Sequence, residues 1–242
     1  MGIIVKKFGG TSVESIEKIK KIAEHIASVK NENDDIVVVV SAMGKTTDQL
    51  FALAYEITKH PNQREMDMLL TAGERITMAL LSLALKELGI QSISFTGSQS
   101  GIITNNSHGN AKILSINAFR ISEELKKKKV VIVAGFQGVS LEKEITTLGR
   151  GGSDTTAVAL ACFLKADKCE IFTDVSGVFT ADPRNVKDVQ KIGKLSYEEM
   201  LYLTLTGSKV LHSRAAEFAY KFKIPVEIKS SFENTAGTMI SE

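Results

Sequence analysis

The chain of 242 residues contains no tryptophan and only 6% aromatic residues. That leaves little material for a surface on which nucleic-acid bases stack. Neither charge sign is in excess: 30 basic residues face 28 acidic ones, a net +2. Neither a nucleic acid nor an anionic membrane is therefore expected as a partner. The two cysteines, Cys162 and Cys169, are too few for a disulfide framework or a zinc site of their own, and they read as reduced core thiols of a cytoplasmic protein. The longest apolar runs are broken by polar residues short of a membrane span. The opening Met-Gly-Ile-Ile-Val-Lys-Lys reads as a strand, not a signal peptide. Two nucleotide signatures are also missing. Gly44-Lys45-Thr46 has the form of the end of a Walker A loop, but that loop needs a glycine five residues earlier, where Val39 stands. No G-x-G-x-x-G follows a strand, so a Rossmann dehydrogenase is unsupported.

What is present is an ordinary globular composition, 43% apolar and 24% charged, enough for one large domain or two small lobes sharing a sheet. Short β-branched runs occur at Ile3–Val5, Ile36–Val40, Ser92–Phe95, Val130–Val133, Glu170–Thr173 and Pro225–Ile228. Helical patterns lie between them at Val13–Val29, Gln49–Lys59, Arg64–Leu88, Ala111–Lys128, Asp154–Leu164, Tyr197–Leu205 and Ser208–Phe222. This alternation predicts an α/β fold with a mainly parallel central sheet and helices on both faces. Val37–Val40 and Val130–Val133 are apolar at every position, as doubly covered strands should be. Lys126–Lys129 reads as the solvated end of a helix. In such sheets ligands bind beyond the carboxyl ends of the strands. Gly- and hydroxyl-rich segments follow the strands at Gly9–Ser12, Ser41–Thr47, Thr96–Ser98, Gly135–Gly138 and Thr173–Gly177. Each alone is an ordinary turn; on one rim together they make a site.

The first turn, Lys7-Phe8-Gly9-Gly10-Thr11-Ser12, delivers a lysine, two glycines and two hydroxyls to a helix start. Glycine lets backbone N–H groups approach a ligand, and a helix N-terminus favours an anion such as phosphate. Thr11 and Glu14 have capping-box spacing. The same segment also suits a plain strand-to-helix turn. In Thr147-Leu148-Gly149-Arg150-Gly151-Gly152-Ser153-Asp154, glycines flank an arginine suited to a planar carboxylate. Ser153 is placed to cap the following helix or to donate to an oxyanion, and Asp154 to orient lysines or hold a metal. Thr173-Asp174 and Ala181-Asp182-Pro183-Arg184 read as a loop around a ligand or as a turn. Lys209, like Lys7, stands beside a glycine at a helix start, and His212 reads as a satisfied structural histidine. Glu74, beside Gly73, is placed either to receive a substrate ammonium or to lie on a solvated face.

Taken in order from Lys7 to Gly237-Thr238, these segments, with Ser41-Ala42-Met43-Gly44, Thr71-Ala72-Gly73-Glu74, Ala134–Gly138 and Lys209-Val210-Leu211-His212, resemble the aspartokinase branch of the amino acid kinase family. The resemblance implies the amino acid kinase (carbamate kinase-like) fold, a three-layer α/β/α arrangement. It implies ATP- and Mg²⁺-dependent phosphorylation of the side-chain carboxylate of L-aspartate to 4-phospho-L-aspartate, the opening step of lysine, threonine and methionine biosynthesis. Position by position, Lys7, Gly9 and Gly10 would line the phosphates. Thr47, Glu74, Arg150 and Ser153 would hold aspartate, with Glu74 on its ammonium and Arg150 on its α-carboxylate. Thr173, Asp174, Phe179, Arg184 and Lys209 would serve the nucleotide, and Asp154 would position Lys7 and Lys209. No protein ligand set for a resident metal is implied. A homodimer is the family's default.

The sequence departs from the family in places. Phe179 stands where tyrosine is common, which keeps ring packing and loses a hydroxyl. Thr46 and Asp48 flank Thr47 in a variable loop. Members usually continue into paired ACT domains that bind end-product amino acids. Residues 1–242 match the catalytic domain alone, its N-terminal part serving mainly the amino acid and its C-terminal part mainly the nucleotide, and the chain stops at Glu242. If nothing is appended, lysine or threonine has no obvious regulatory site. Relatives with the same fold, such as glutamate 5-kinase, acetylglutamate kinase, carbamate kinase or uridylate kinase, are the first alternatives. A non-catalytic ligand sensor is another. The Gly-Arg-Gly-Gly-Ser-Asp and Thr-Ala-Gly-Glu segments favour the aspartokinase branch.

Overall fold

The computed structural model describes residues 2–30, 34–183, 185–208, 210–233 and 235–242. The first half of the chain runs β1 (Gly2–Phe8), α1 (Ile16–Val29), β2 (Asp34–Val40), α2 (Thr46–Ile57), α3 (Gln63–Leu70), α4 (Ala72–Glu87), β3 (Ser92–Phe95), β4 (Ile102–Thr104), β5 (Ile113–Ile116) and α5 (Phe119–Lys126). It continues through β6 (Val130–Ala134), β7 (Gln137–Ser140), β8 (Ile145–Thr147), α6 (Gly152–Leu164), β9 (Lys168–Thr173), β10 (Val178–Phe179) and β11 (Lys191–Ile192). The last elements are β12 (Lys194–Leu195), α7 (Tyr197–Leu205), α8 (Ser213–Phe222), β13 (Val226–Ser230) and β14 (Thr238–Ile240).

The all-valine stretch of β2 explains the layering. Successive side chains of a strand point to opposite faces. Val37 and Val39 join a core with Ala157–Ala161 of α6, while Ile36, Val38 and Val40 join one with Ile19 and Ile26 of α1 and Leu81 and Leu85 of α4. β6 divides its valines in the same way. Both faces are thus covered, and the three-layer α/β/α arrangement follows. The main sheet runs β12-β14-β13-β9-β1-β2-β6-β3. It is parallel from β13 through β3, and β14 lies antiparallel to β13. Every strand expected from sequence is in it.

Other expectations need correction. The helix expected over 111–128 is a strand followed by a helix. β5 pairs with β4, and a bulge shifts the register between Ile103 and Thr104 so that Leu114 is left out. A bulge inverts the two-residue period, which is why Ile113 and Ile116 imitated helical spacing. These strands belong to a second sheet, β5-β4-β7-β8, that the sequence reading missed. The expected helix Arg64–Leu88 is two helices that meet at Thr71, whose carbonyl accepts from the buried Gln137 side chain at 3.2 Å. The stretch Gln63–Glu87 is, against expectation, long and apolar enough to cross a membrane by length and composition, yet half of its most apolar window is buried inside the protein. Helix α1 starts at Ile16, and Ser15, not Thr11, caps it by accepting from the Lys18 N–H at 3.3 Å. Helix α8 starts at Ser213 rather than Ser208. Lys126, Lys127 and Lys129 pair with Glu123 and Glu124 at the end of α5, as a solvated terminus should. Cys162 and Cys169 are free and buried.

Candidate active site

On β1 the alternation of a strand places Lys6 and Phe8 on one face and Lys7 on the other. Lys7 is buried, and its Nζ lies 2.6 Å from Asp154 Oδ1 in the first turn of α6. Just beyond, the Gly9 N–H donates to the Phe172 carbonyl at 3.3 Å, and Ser12 N–H returns to the Gly9 carbonyl at 2.9 Å. A β-carbon on Gly9 would sit 3.4 Å from Lys7 Nζ, and one on Gly10 3.1 Å from the Ala42 carbonyl oxygen. The two glycines therefore leave the lysine amine uncovered and let the turn close on the loop after β2.

The start of α6 is built for close approach as well. Gly149 and Gly151 adopt left-handed backbone, φ +76° and +66°. A β-carbon at Gly151 would lie 2.1 Å from the His212 ring, so nothing larger than glycine fits. Gly151 is the N-cap of α6, and no side chain caps the helix. This corrects the capping role expected for Ser153, which is the second residue of the helix and packs against Gly135. The Gly152 N–H donates to the Gly149 carbonyl at 3.0 Å, and the Ser153 and Asp154 N–H groups, which have no backbone partner among the described residues, are left for an anion. His212 is likewise not the satisfied histidine expected, because its buried Nδ1 has no hydrogen-bond partner among the described residues.

Glu74 lies in the first turn of α4 and is buried, not solvated. Its Oε1 accepts from the Ala42 N–H at 3.2 Å, and its buried Oε2 has no hydrogen-bond partner among the described residues. Burial pushes its carboxyl up to about 7, against the two backbone N–H bonds that hold it down. Thr46, Thr47 and Asp48 form the first turn of α2 rather than the expected loop.

Lys7, Gly10, Thr47, Glu74, Arg150, Ser153 and Asp154 line one cleft of about 480 Å³. Ser41, Ala42, Gly44, Phe136 and Asp67 are among the other residues that line it. Of the strand-end loops expected on one rim, Thr96–Ser98 and Thr173–Gly177 do not line this cleft. Thr173 ends β9, and Asp174 and Phe179 stand on the loop and hairpin that follow it; Thr173 Oγ1 lies 3.0 Å from Asp174 Oδ1. Arg184 and Lys209 lie outside the described residues.

One member of the cleft was not found from sequence. Asp67 of α3 is fully buried. It accepts from the Thr147 hydroxyl of β8 and from the Gly109 N–H at 3.1 Å, and it lies 2.6 Å from His108 Nδ1. These bonds fasten the 105–110 loop beside the Leu148-Gly149-Arg150 segment, where Arg214 also grips the Leu148 carbonyl at 2.8 Å. The only sequence signal was an acid inside an apolar helix. A second missed group lies on the opposite face of β1. Burial favours the neutral form of Glu170, but Lys6 and Lys168 outweigh it and hold its carboxyl down at about 2.

Among the described residues, no group of three or more His, Cys, Asp or Glu side chains is arranged to hold a metal. The strand ends of this parallel α/β sheet thus present a glycine turn, a lysine–aspartate pair and a buried acid with an oxygen that has no partner among the described residues. The chain belongs to the amino acid kinase family, whose profile matches residues 2–230. It is 57% identical over all 242 residues to the aspartokinase of Geobacillus stearothermophilus, of which it covers 60%. Among solved structures it is similar to aspartate kinase from Synechocystis, with a TM-score of 0.88 at 47% identity over 99% of this chain and 39% of that one. It is also similar to E. coli aspartokinase III in complex with aspartate and ADP, with a TM-score of 0.90 at 28% identity over 99% of this chain and 64% of that one. The chain therefore spans about 60% of the length of the curated relatives it matches.

Proposed function

We propose that this chain transfers the γ-phosphoryl group of ATP to the side-chain carboxylate of L-aspartate, giving 4-phospho-L-aspartate and ADP. The observation that carries the reading is that the Lys7–Asp154 pair and the vacant oxygen of Glu74 face one cleft. A side-chain carboxylate is already an anion at neutral pH, so the attack needs no general base. The difficulty is bringing it to a polyanion and stabilising charge on the group in transfer. Lys7, the Gly10 N–H and the uncapped start of α6 address that difficulty, and Asp154 fixes the Lys7 amine. In this reading Glu74 accepts the substrate ammonium, Arg150 pairs with the α-carboxylate, and Thr47 and Ser153 complete the aspartate pocket. Thr173, Asp174, Phe179, Arg184 and Lys209 serve the nucleotide, with Lys209 the second cation on the phosphoryl group. Mg²⁺ needs few protein ligands when phosphates and water supply the rest, which suits a donor set with no three-residue acidic cluster among the described residues. Asp154 and Asp174 are the carboxylates near enough in role to touch its shell, and the ion itself would neutralise phosphate charge.

Residues 1–242 act in this reading as one catalytic domain, with the amino acid held mainly by the N-terminal part and the nucleotide mainly by the C-terminal part. A homodimer in the cytoplasm completes it. Leu53 and Ile57, one turn apart on α2, supply an exposed apolar patch for self-association, and the two free buried thiols suit a reducing compartment. A coupled ADP-release assay with aspartate, glutamate, carbamate and UMP tests the assignment. Aspartate should be the substrate turned over; release driven equally well by another acceptor, or by none, would refute it.

A further inference from the structure

The alternation that sends Lys7 into the cleft sends Phe8 the other way. There Phe8 stacks on Phe172, with ring centroids 4.6 Å and planes 15° apart. His25 of α1 stands edge-on to Phe172 at 5.7 Å. These rings floor a second cavity of about 450 Å³ between α1 and the segment that follows β13. It shares no lining residue with the cleft of Lys7 and Glu74.

Among the described residues three lysines and one carboxylate, Glu233, line this cavity, and of the three lysines Lys21 is the one without an ion pair. Lys18 Nζ lies 4.3 Å from the Phe232 ring centroid and pairs with Glu14. Lys229 Nζ lies 6.0 Å from the Phe172 centroid and pairs with Glu227 at 3.5 Å and Glu170 at 3.7 Å. Lys21 has no carboxylate partner among the described residues. Below the floor, Lys6 Nζ is 5.6 Å from the Phe172 centroid. We infer that this cavity binds a small aromatic carboxylate, its ring against Phe172 and Phe232 and its carboxylate toward the lysine rim. A flat ring stacks on the aromatic floor, and a cationic rim in a half-enclosed, partly apolar pocket selects an anion. A phosphate dianion fits less well. Among the described residues the lining contains no arginine fork, and most of the α1 residues that line it, Lys21 to Val29, run toward the negative, C-terminal end of that helix.

The cavity also touches the catalytic turn from behind. Ser12 and Ser231 share a hydrogen bond between their hydroxyls, and the Phe172 carbonyl holds the Gly9 N–H. A ligand that fixes Phe172 and the 230–232 segment therefore fixes Gly9–Ser12. This regulatory consequence, unlike the binding itself, rests on the kinase reading given above.

The absence of tryptophan supplies the test. Phe232→Trp puts the sole indole of the chain at the cavity mouth. Its emission is followed during titration with benzoate, acetate, benzyl alcohol and AMP, each with and without ADP plus aspartate. A saturable response to benzoate that persists with ADP and aspartate, with little response to acetate or benzyl alcohol, is the expected result. Lys21→Glu in the same background should weaken benzoate about fivefold or more. Ligand-detected NMR of benzoate on the unmodified chain repeats the comparison without the new side chain. No saturable binding by either method overturns the inference. So does equal binding of benzyl alcohol, tighter binding of AMP, displacement by ADP and aspartate, or indifference to Lys21→Glu. None of these readouts needs phosphoryl transfer, so failure here leaves the kinase reading standing, and the reverse also holds.

Discussion

Glu74 joins burial to a missing partner, and its protonation follows from both. Its carboxyl, raised to about 7, binds a proton more tightly in the folded chain than in the unfolded one. The folded state is therefore favoured below the ordinary carboxylate range, and stability falls as pH rises from about 4.5 to about 7. The loss is on the order of 3 kcal/mol, and denaturant titrations of Glu74→Gln should lack that slope. A substrate ammonium reverses the balance, because it stabilises the ionised form. Aspartate affinity, measured by calorimetry, should weaken about tenfold between pH 8 and pH 6 in the parent chain and stay flat in Glu74→Gln. Gly151 makes a second prediction at this scale. Gly151→Ala meets both the left-handed backbone and the His212 ring, and a loss of about 2–4 kcal/mol in unfolding experiments is expected. Lys7, Glu74, Arg150, Ser153 and Asp154 were legible because each sits in a short glycine-marked segment. Asp67 was not, because its partners lie 41, 42 and 80 positions away and only the fold brings them to it.

Elements whose period matched their burial were read correctly, and those with a shifted period were not. The doubly covered strands and the core helix α6 carry continuous apolar runs that have no competing interpretation. β5 fails because its bulge converts a two-residue period into one that imitates a helix. The join between α3 and α4 was invisible because Thr71 keeps helical dihedrals while its carbonyl is taken by Gln137. That join matters for function, since α3 carries Asp67 and α4 carries Glu74. Asp67→Asn should loosen the 105–110 loop and, through it, the Arg150 segment. Steady-state kinetics are expected to show KM for aspartate raised about tenfold with KM for ATP within about twofold. Equal effects on both substrates would place Asp67 outside the amino acid pocket.

Across the whole molecule, β1 divides two environments. One face presents Lys7 to the cleft with Asp154, and the other presents Lys6 to Glu170 and Phe8 to Phe172. Sequence alone supplied the order of the main strands along the chain but not which residue of each would face which side, because burial on both faces removes the polar half of the pattern. The central claim is that Lys7, held by Asp154 at the glycine turn, stabilises the transferring phosphoryl group and contributes little to holding aspartate. Single-turnover formation of aspartyl phosphate, trapped with hydroxylamine, measures this directly in Lys7→Ala alongside the aspartate dissociation constant. The account predicts a rate lower by about 10²–10³ with aspartate affinity within about twofold; a rate close to that of the parent chain would contradict it.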